Sequence, residues 1–165
     1  MDLHFFSLII WSGIVAVAFA VLFNVPKRLL FAIFLVSAIS AFIKMISLNG
    51  GINIVFSVLF AASFVGFATI PIARYKRTSP FVLSIPAIIP MIPGYFGYEM
   101  LLGIMDIAFK TPTPNDVNIL MEIIHNASNM VFILGSISLG VSLPWLLFRE
   151  KGLQKIKMTD DENLL

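Results

Sequence analysis

The run Ser84-Ile85-Pro86-Ala87-Ile88-Ile89-Pro90-Met91-Ile92-Pro93-Gly94 sets three prolines inside an otherwise apolar segment, Phe81 to Phe109. As one straight helix this segment would measure about 43 Å at about 1.5 Å per residue, against about 30 Å for the hydrocarbon core of a bilayer. Each proline deletes a backbone donor, and its ring collides with the turn before it. The carbonyls of Val82, Pro86 and Ile89 are therefore expected to lose helical partners, and Gly94 is free to take a positive φ. The reading is a helix broken by Pro86, Pro90 and Pro93-Gly94, with the amides from Tyr95 to Gly97 opening a second half-helix. Orphaned backbone groups are costly in lipid unless protein or water satisfies them, so a break at that depth points to a cavity. Bare amides at a half-helix N-terminus suit a carboxylate. A proline kink packed against its neighbours is the plainer alternative.

The rest of the chain supplies the membrane in which this break matters. Of 165 residues, 59% are hydrophobic and only 12% are charged, where a soluble domain carries about 25% charged residues. The mean hydropathy is +0.97. These values exclude a soluble enzyme, a disordered tail and a nucleic-acid binder. The absence of cysteine excludes a disulfide framework, a thiolate metal site and a Cys nucleophile.

Turn-forming stretches divide the chain into five apolar spans: about 3–23, 29–48, 53–73, 81–109 and 119–148. They form a single helical membrane domain over 1–148, followed by a polar tail, 149–165, expected to fray at Asp160-Asp161-Glu162. The first span lacks a basic leader and a small-residue cleavage site, so it reads as retained. Cations orient the spans. Lys27, Arg28, Arg74, Lys76, Arg77, Arg149, Lys151, Lys155 and Lys157 fall in one set of alternating connections. Only Lys110, before the linker Thr111 to Asp116, falls in the other. The expectation is an outward N-terminus, five crossings and a cytoplasmic C-terminus. Two full spans within 81–109 would move the tail cations outside, so that segment is a broken crossing or a re-entrant piece plus a crossing.

Ionisable groups within spans demand a partner or a path. Glu99 follows the break, and Asp106 lies further out. Glu122, Asn126, Asn129, Ser136 and Gly140 share a face of the last span, and His125 flanks it with an imidazole that can give or take a proton. Glu99, Glu122 and His125 are the candidates for proton coupling. Interfacial placement is the plainer reading of Glu122 and Asp106, and hydrogen-bonded helix packing that of His125. Lys44 lies within the second span, near enough to Leu48 to snorkel outward. Small residues four apart, Ala16/Ala20, Ser37/Ala41, Ala62/Gly66 and Ser136/Gly140, mark faces where helix backbones approach closely. No catalytic motif survives inspection. The glycines around Ser136 and Ser138 miss the serine-elbow register, Glu122-x-x-His125 lacks the other half of a di-iron site, and there is no Walker sequence. Neither cofactor nor metal is expected.

Three stretches carry a resemblance: Ala18-Phe19-Ala20-Val21-Leu22-Phe23-Asn24-Val25-Pro26, Ile89-Pro90-Met91-Ile92-Pro93-Gly94 and Ser136-Ile137-Ser138-Leu139-Gly140-Val141-Ser142-Leu143-Pro144. In this order they resemble the threonine/serine exporter (ThrE) family, and within it the YjjB-type small subunit, equivalent to the C-terminal membrane half of full-length exporters. Pro86 is an addition to the family's pattern, so the break is expected to begin earlier here. The resemblance implies a multi-pass protein of the bacterial inner membrane, working with a larger YjjP-type membrane subunit. It also implies export of threonine and serine, or of succinate-type dicarboxylates in split exporters.

On this reading Pro90, Pro93, Gly94, Tyr95 and Glu99, with Asn126, Asn129 and Ser136, line a path for a small carboxylate-bearing substrate. An odd set of five spans also points to a hetero-partner or to self-association. The competing reading is a structural membrane subunit that stabilises a partner carrying the path.

Overall fold

The computed structural model describes residues 3–109 and 116–162, with side chains described over 5–109 and 116–147. Lys110 and the expected linker up to Asn115 lie outside the described residues. Every described element is helical: α1 (Leu3–Leu22), α2 (Lys27–Asn49), α3 (Ile54–Lys76), α4 (Pro80–Ile88), a 3-10 turn (Ile89–Met91), α5 (Gly94–Phe109) and α6 (Asp116–Glu162). Four of these helices are long and apolar enough to cross a membrane, and the α4–α5 pair forms a fifth candidate bent by 50°. This is a multi-pass membrane architecture. α6 runs on past residue 148 as helix to Glu162.

The first three helices end in the same way. Asn24, Gly51 and Arg77 take positive φ of 56°, 80° and 51°. The following amides of Val25, Ile52 and Thr78 donate back to the carbonyls of Ala20, Ser47 and Ala73 at 2.9, 3.1 and 3.0 Å. This closure satisfies carbonyls that a helix end leaves bare. Asn53 caps the start of α3 by accepting from the Val55 amide at 3.0 Å, as a short polar side chain does at that position.

α1 and α2 form an antiparallel hairpin. The rings of Phe5 and Phe42 meet edge-on at 5.9 Å, and the Ser12 and Ser37 hydroxyls are 3.1 Å apart. The small residues Ala16 and Ala20 pack with Leu29 and Ile33 in a core that also takes Val65 of α3 and Leu83 and Ala87 of α4. Two buried hydroxyls bond to their own helices, Ser40 donating to the Ser37 carbonyl and Thr69 to that of Val65, each at 2.8 Å, while the buried Ser37 hydroxyl reaches the Ser12 carbonyl of α1 at 3.2 Å. Among the described residues, no fully buried side-chain nitrogen or oxygen lacks a hydrogen-bond partner.

The joint between α3 and α6 is backbone against backbone. A Cβ on Gly66 would lie 3.0 Å from the Val141 carbonyl and 2.9 Å from Pro144, and one on Gly140 would lie 2.8 Å from the Ala62 Cβ. Advancing from Ala62 to Gly66 matches advancing from Gly140 to Pro144, so the two helices run in the same direction. The bent α4–α5 pair lies between them in the chain.

α6 meets its neighbours along one stripe, Ile119, Ile123, Asn126, Met130, Ile133, Ile137, Gly140 and Pro144, in alternating steps of four and three. That spacing is the seam of a left-handed helix pair. The first part faces α5, whose Gly103 lies under Ile123 and Gly97 under Met130. The second faces α3. No described residue of α6 before Ile133 is buried, and α5 buries none. α5 and the first half of α6 therefore form a two-helix arm that leans chiefly on itself.

Replacing Gly140 or Gly66 by alanine should lower stability by about 1–3 kcal/mol through overpacking, and leucine should prevent docking altogether. Gly135, with nothing within 4 Å of its would-be Cβ, should accept alanine without loss. Thermal unfolding of the three variants in detergent measures the contrast.

Candidate functional site

The break forms where the second and third prolines stand, not at the first. Pro86 is fully buried inside α4, which runs on to Ile88. Packing on α1, α2 and α3 holds that helix together despite one missing hydrogen bond. Pro90 and Pro93 act together, and the chain tightens into the 3-10 turn and then leaves the helix at Ile92-Pro93.

Two details of the expected break change. The Ile89 carbonyl is not orphaned, because the Ile92 amide donates to it at 3.0 Å. Gly94 keeps a negative φ and serves instead as the first residue of α5. Its amide donates to the Ile92 carbonyl at 2.8 Å, and the Gly97 amide reaches the Pro93 carbonyl at 3.4 Å. Of the amides expected to be open, those of Tyr95 and Phe96 are left without a backbone acceptor.

Two clefts flank the break. One, of about 280 Å³, is lined by Leu8, Ser12, Ala41, Lys44, Pro90 and Met91 among others. The second, of about 270 Å³, includes Lys44, Val58, Met91, Pro93, Gly94 and Tyr95. They share Lys44 and Met91, so the 3-10 turn forms a wall common to both. A third cleft of about 280 Å³ lies at the opposite end of α4, between Phe23, Val25, Phe81 and Pro86, and is almost wholly apolar.

The expected path residues fall into two groups. Pro90, Pro93, Gly94 and Tyr95 gather around the flanking clefts. Glu99, Glu122, His125, Asn126 and Asn129 lie on the arm and line neither cleft. Glu99, Asn126 and Asn129 are half-buried, whereas Glu122 and His125 are exposed. The Asn129 side chain and the His125 ring are hydrogen-bonded at 3.0 Å. Ser136 is buried in the other half of α6 and also lines neither cleft. No metal-binding group of three or more His, Cys, Asp or Glu occurs among the described residues.

Lys44 is the residue that sequence reasoning set aside. Its signal was its position as the one cation within a span. Its setting came from the turn at residues 89–91, which no local pattern around Lys44 reveals.

A sequence model of the family described as "Threonine/Serine exporter, ThrE" matches residues 8–147. The chain is 31% identical over 142 residues to a Haemophilus influenzae protein described as uncharacterized, covering 84% of this chain and 46% of that protein. It therefore spans about half the length of this curated relative. No solved structure matches it. The chain belongs to the threonine/serine exporter family, which is described as an exporter and not as an enzyme.

Since the chain has no cysteine, single cysteines can report on the clefts. Ala41→Cys, on a cleft wall, should react with a small water-soluble thiol reagent. Ala62→Cys, buried against Gly140, should stay unmodified until the protein is denatured, as mass spectrometry of both variants would show.

Proposed function

We propose that this member of the threonine/serine exporter family is a subunit of a secondary-active exporter of small carboxylate-bearing metabolites: threonine, serine or succinate-type dicarboxylates. The observation that carries the proposal is the break at Pro90 and Pro93-Gly94, with clefts on both sides and the free amides of Tyr95 and Phe96 at its edge. Irregular backbone is tolerated at membrane depth where it is buried in protein or lines a cavity. A half-helix that begins there presents donors and partial positive charge to an anion.

Five crossings, with the N-terminus outside and the C-terminus in the cytoplasm of a bacterial inner membrane, suit both the cation distribution and the parallel run of α3 and α6. With α4–α5 as one bent crossing, α3 and α6 traverse in the same sense. From the cleft, the path follows the arm past Glu99, Asn126 and Asn129. Glu122 and His125, with Glu99, are the groups proposed to carry protons against the solute.

The arm also supports a partner. Its exposed apolar side chains, Leu101, Met105, Leu120, Met121 and Ile124 among them, are at ease in lipid, but Glu122 and His125 beside them are not. A second, larger membrane subunit of the YjjP type, or a second copy of this chain, would cover them and complete the path.

Export from cells carrying this chain with the second subunit should exceed that from cells carrying either alone. Pro93→Ala combined with Glu99→Gln should reduce it at least tenfold at equal membrane abundance. Unchanged efflux would refute the path assignment and leave the chain a structural subunit. Labelled threonine, serine and succinate distinguish the cargo.

A further inference from the structure

We infer that Lys44 anchors the substrate carboxylate, its ammonium held at the meeting point of the two clefts beside the break. The inference rests on the exporter reading and adds to it a named binding residue on a helix outside the broken segment.

The chain has no other Lys or Arg between Arg28 and Arg74, so Lys44 is the single cation within the second span. It lies more than one turn inside the end of α2 at Asn49. It is half-buried, and both clefts include it in their lining. Neither cleft has an acidic residue in its wall. Among the described residues no carboxylate pairs with Lys44 and no hydrogen bond holds its Nζ. That nitrogen is not sealed off either, because every fully enclosed side-chain nitrogen or oxygen among the described residues has a partner. Lys44 is thus a cation whose Nζ is not sealed off, on the wall shared by two largely apolar clefts, lacking the counter-charge that a cation in such surroundings requires.

A small acid supplies that counter-charge. Each cleft, at about 270–280 Å³, sits just below the usual range for small-molecule pockets of about 300–1,000 Å³, which limits the occupant to a short carbon skeleton. The Ser12 hydroxyl lines the same cleft as Lys44 and stands 3.1 Å from the Ser37 hydroxyl, which also lies 3.2 Å from the Ser12 carbonyl. If Ser37 donates to that carbonyl, Ser12 donates to Ser37, which leaves Lys44 as the donor available to the acid. An acid bound by Lys44 would have Met91 of the 3-10 turn beside it, so binding would bear directly on the element that separates the clefts. A lysine extended along α2 to the outer surface is the alternative, and it would leave transport indifferent to the charge.

The test uses the complete exporter, this chain with its second membrane subunit, reconstituted in vesicles with labelled threonine, serine or succinate, each compared with its carboxamide analogue. Wild-type protein should prefer the acid. Lys44→Met should raise KM for the acid about 10- to 100-fold, the range of a hydrogen bond to a charged group, and erase the preference over the carboxamide. Lys44→Arg should restore part of both. Wild-type vesicles that move none of the three acids would overturn the exporter reading, and the inference with it. Active wild type with unchanged KM and preference in Lys44→Met would overturn this inference alone. Should Lys44→Met fail to assemble, acetylation of Lys44 in wild-type protein, followed by mass spectrometry, decides. Saturating substrate should slow it severalfold, and an unaltered rate would refute the assignment.

Discussion

A peptide group carried into hydrocarbon brings a donor and an acceptor that lipid cannot satisfy. That constraint accounts for the long regular helices of this chain and for the care taken at their ends. α1, α2 and α3 close with the same back-bonded turn, using Asn24, Gly51 and Arg77 in the left-handed region. The buried hydroxyls of Ser40 and Thr69 turn onto their own helices, and that of Ser37 reaches across to α1. Against this background the segment from Ile89 to Gly94 stands apart. There the chain gives up regular helix, tightens into a single 3-10 turn, and restarts at a 50° angle.

Much of this was legible in the sequence, because hydropathy and proline are strong local signals. The first four spans match the observed helices within about three residues, with α4 to α5 taken as one, whereas α6 runs 14 residues past the expected end at 148. Ala16 and Ala20 entered the core, and Ala62, Gly66 and Gly140 formed a close joint between α3 and α6. What was misread depends on packing. Pro86 resembles Pro90 in sequence, yet it sits in a helix buried on three neighbours, where the loss of one hydrogen bond is outweighed. The bare carbonyl predicted at Ile89 was filled by a 3-10 bond, a tighter register that helical counting does not include. The amides left open shrank to those of Tyr95 and Phe96 for the same reason.

The polar residues divide along a line that periodicity alone could not draw. Glu122, Asn126, Asn129, Ser136 and Gly140 do share a side of α6. The contact stripe, however, passes through Asn126 and Gly140 and leaves Glu122 at its exposed edge. Which part of that side meets α5 and which meets α3 is set by the bend 25 residues or more earlier in the chain. Lys44 shows the same dependence more sharply. Its own helix says only that a cation lies near an end. Its place between two clefts is made by a turn from a different helix.

The continuity of α6 has a mechanical consequence. One unbroken rod is held at Gly140 by backbone contact with α3 and, further toward its start, carries the arm with α5. With no flexible side chain at the joint to absorb a shift, α6 cannot slide along α3 without lifting off it. Displacement of the arm must therefore appear as a change of tilt about that fulcrum, felt at Trp145, whose ring lies 5.7 Å from Phe81 at the foot of α4. The two ends of the bent segment are thus tied to the two arms of a single lever.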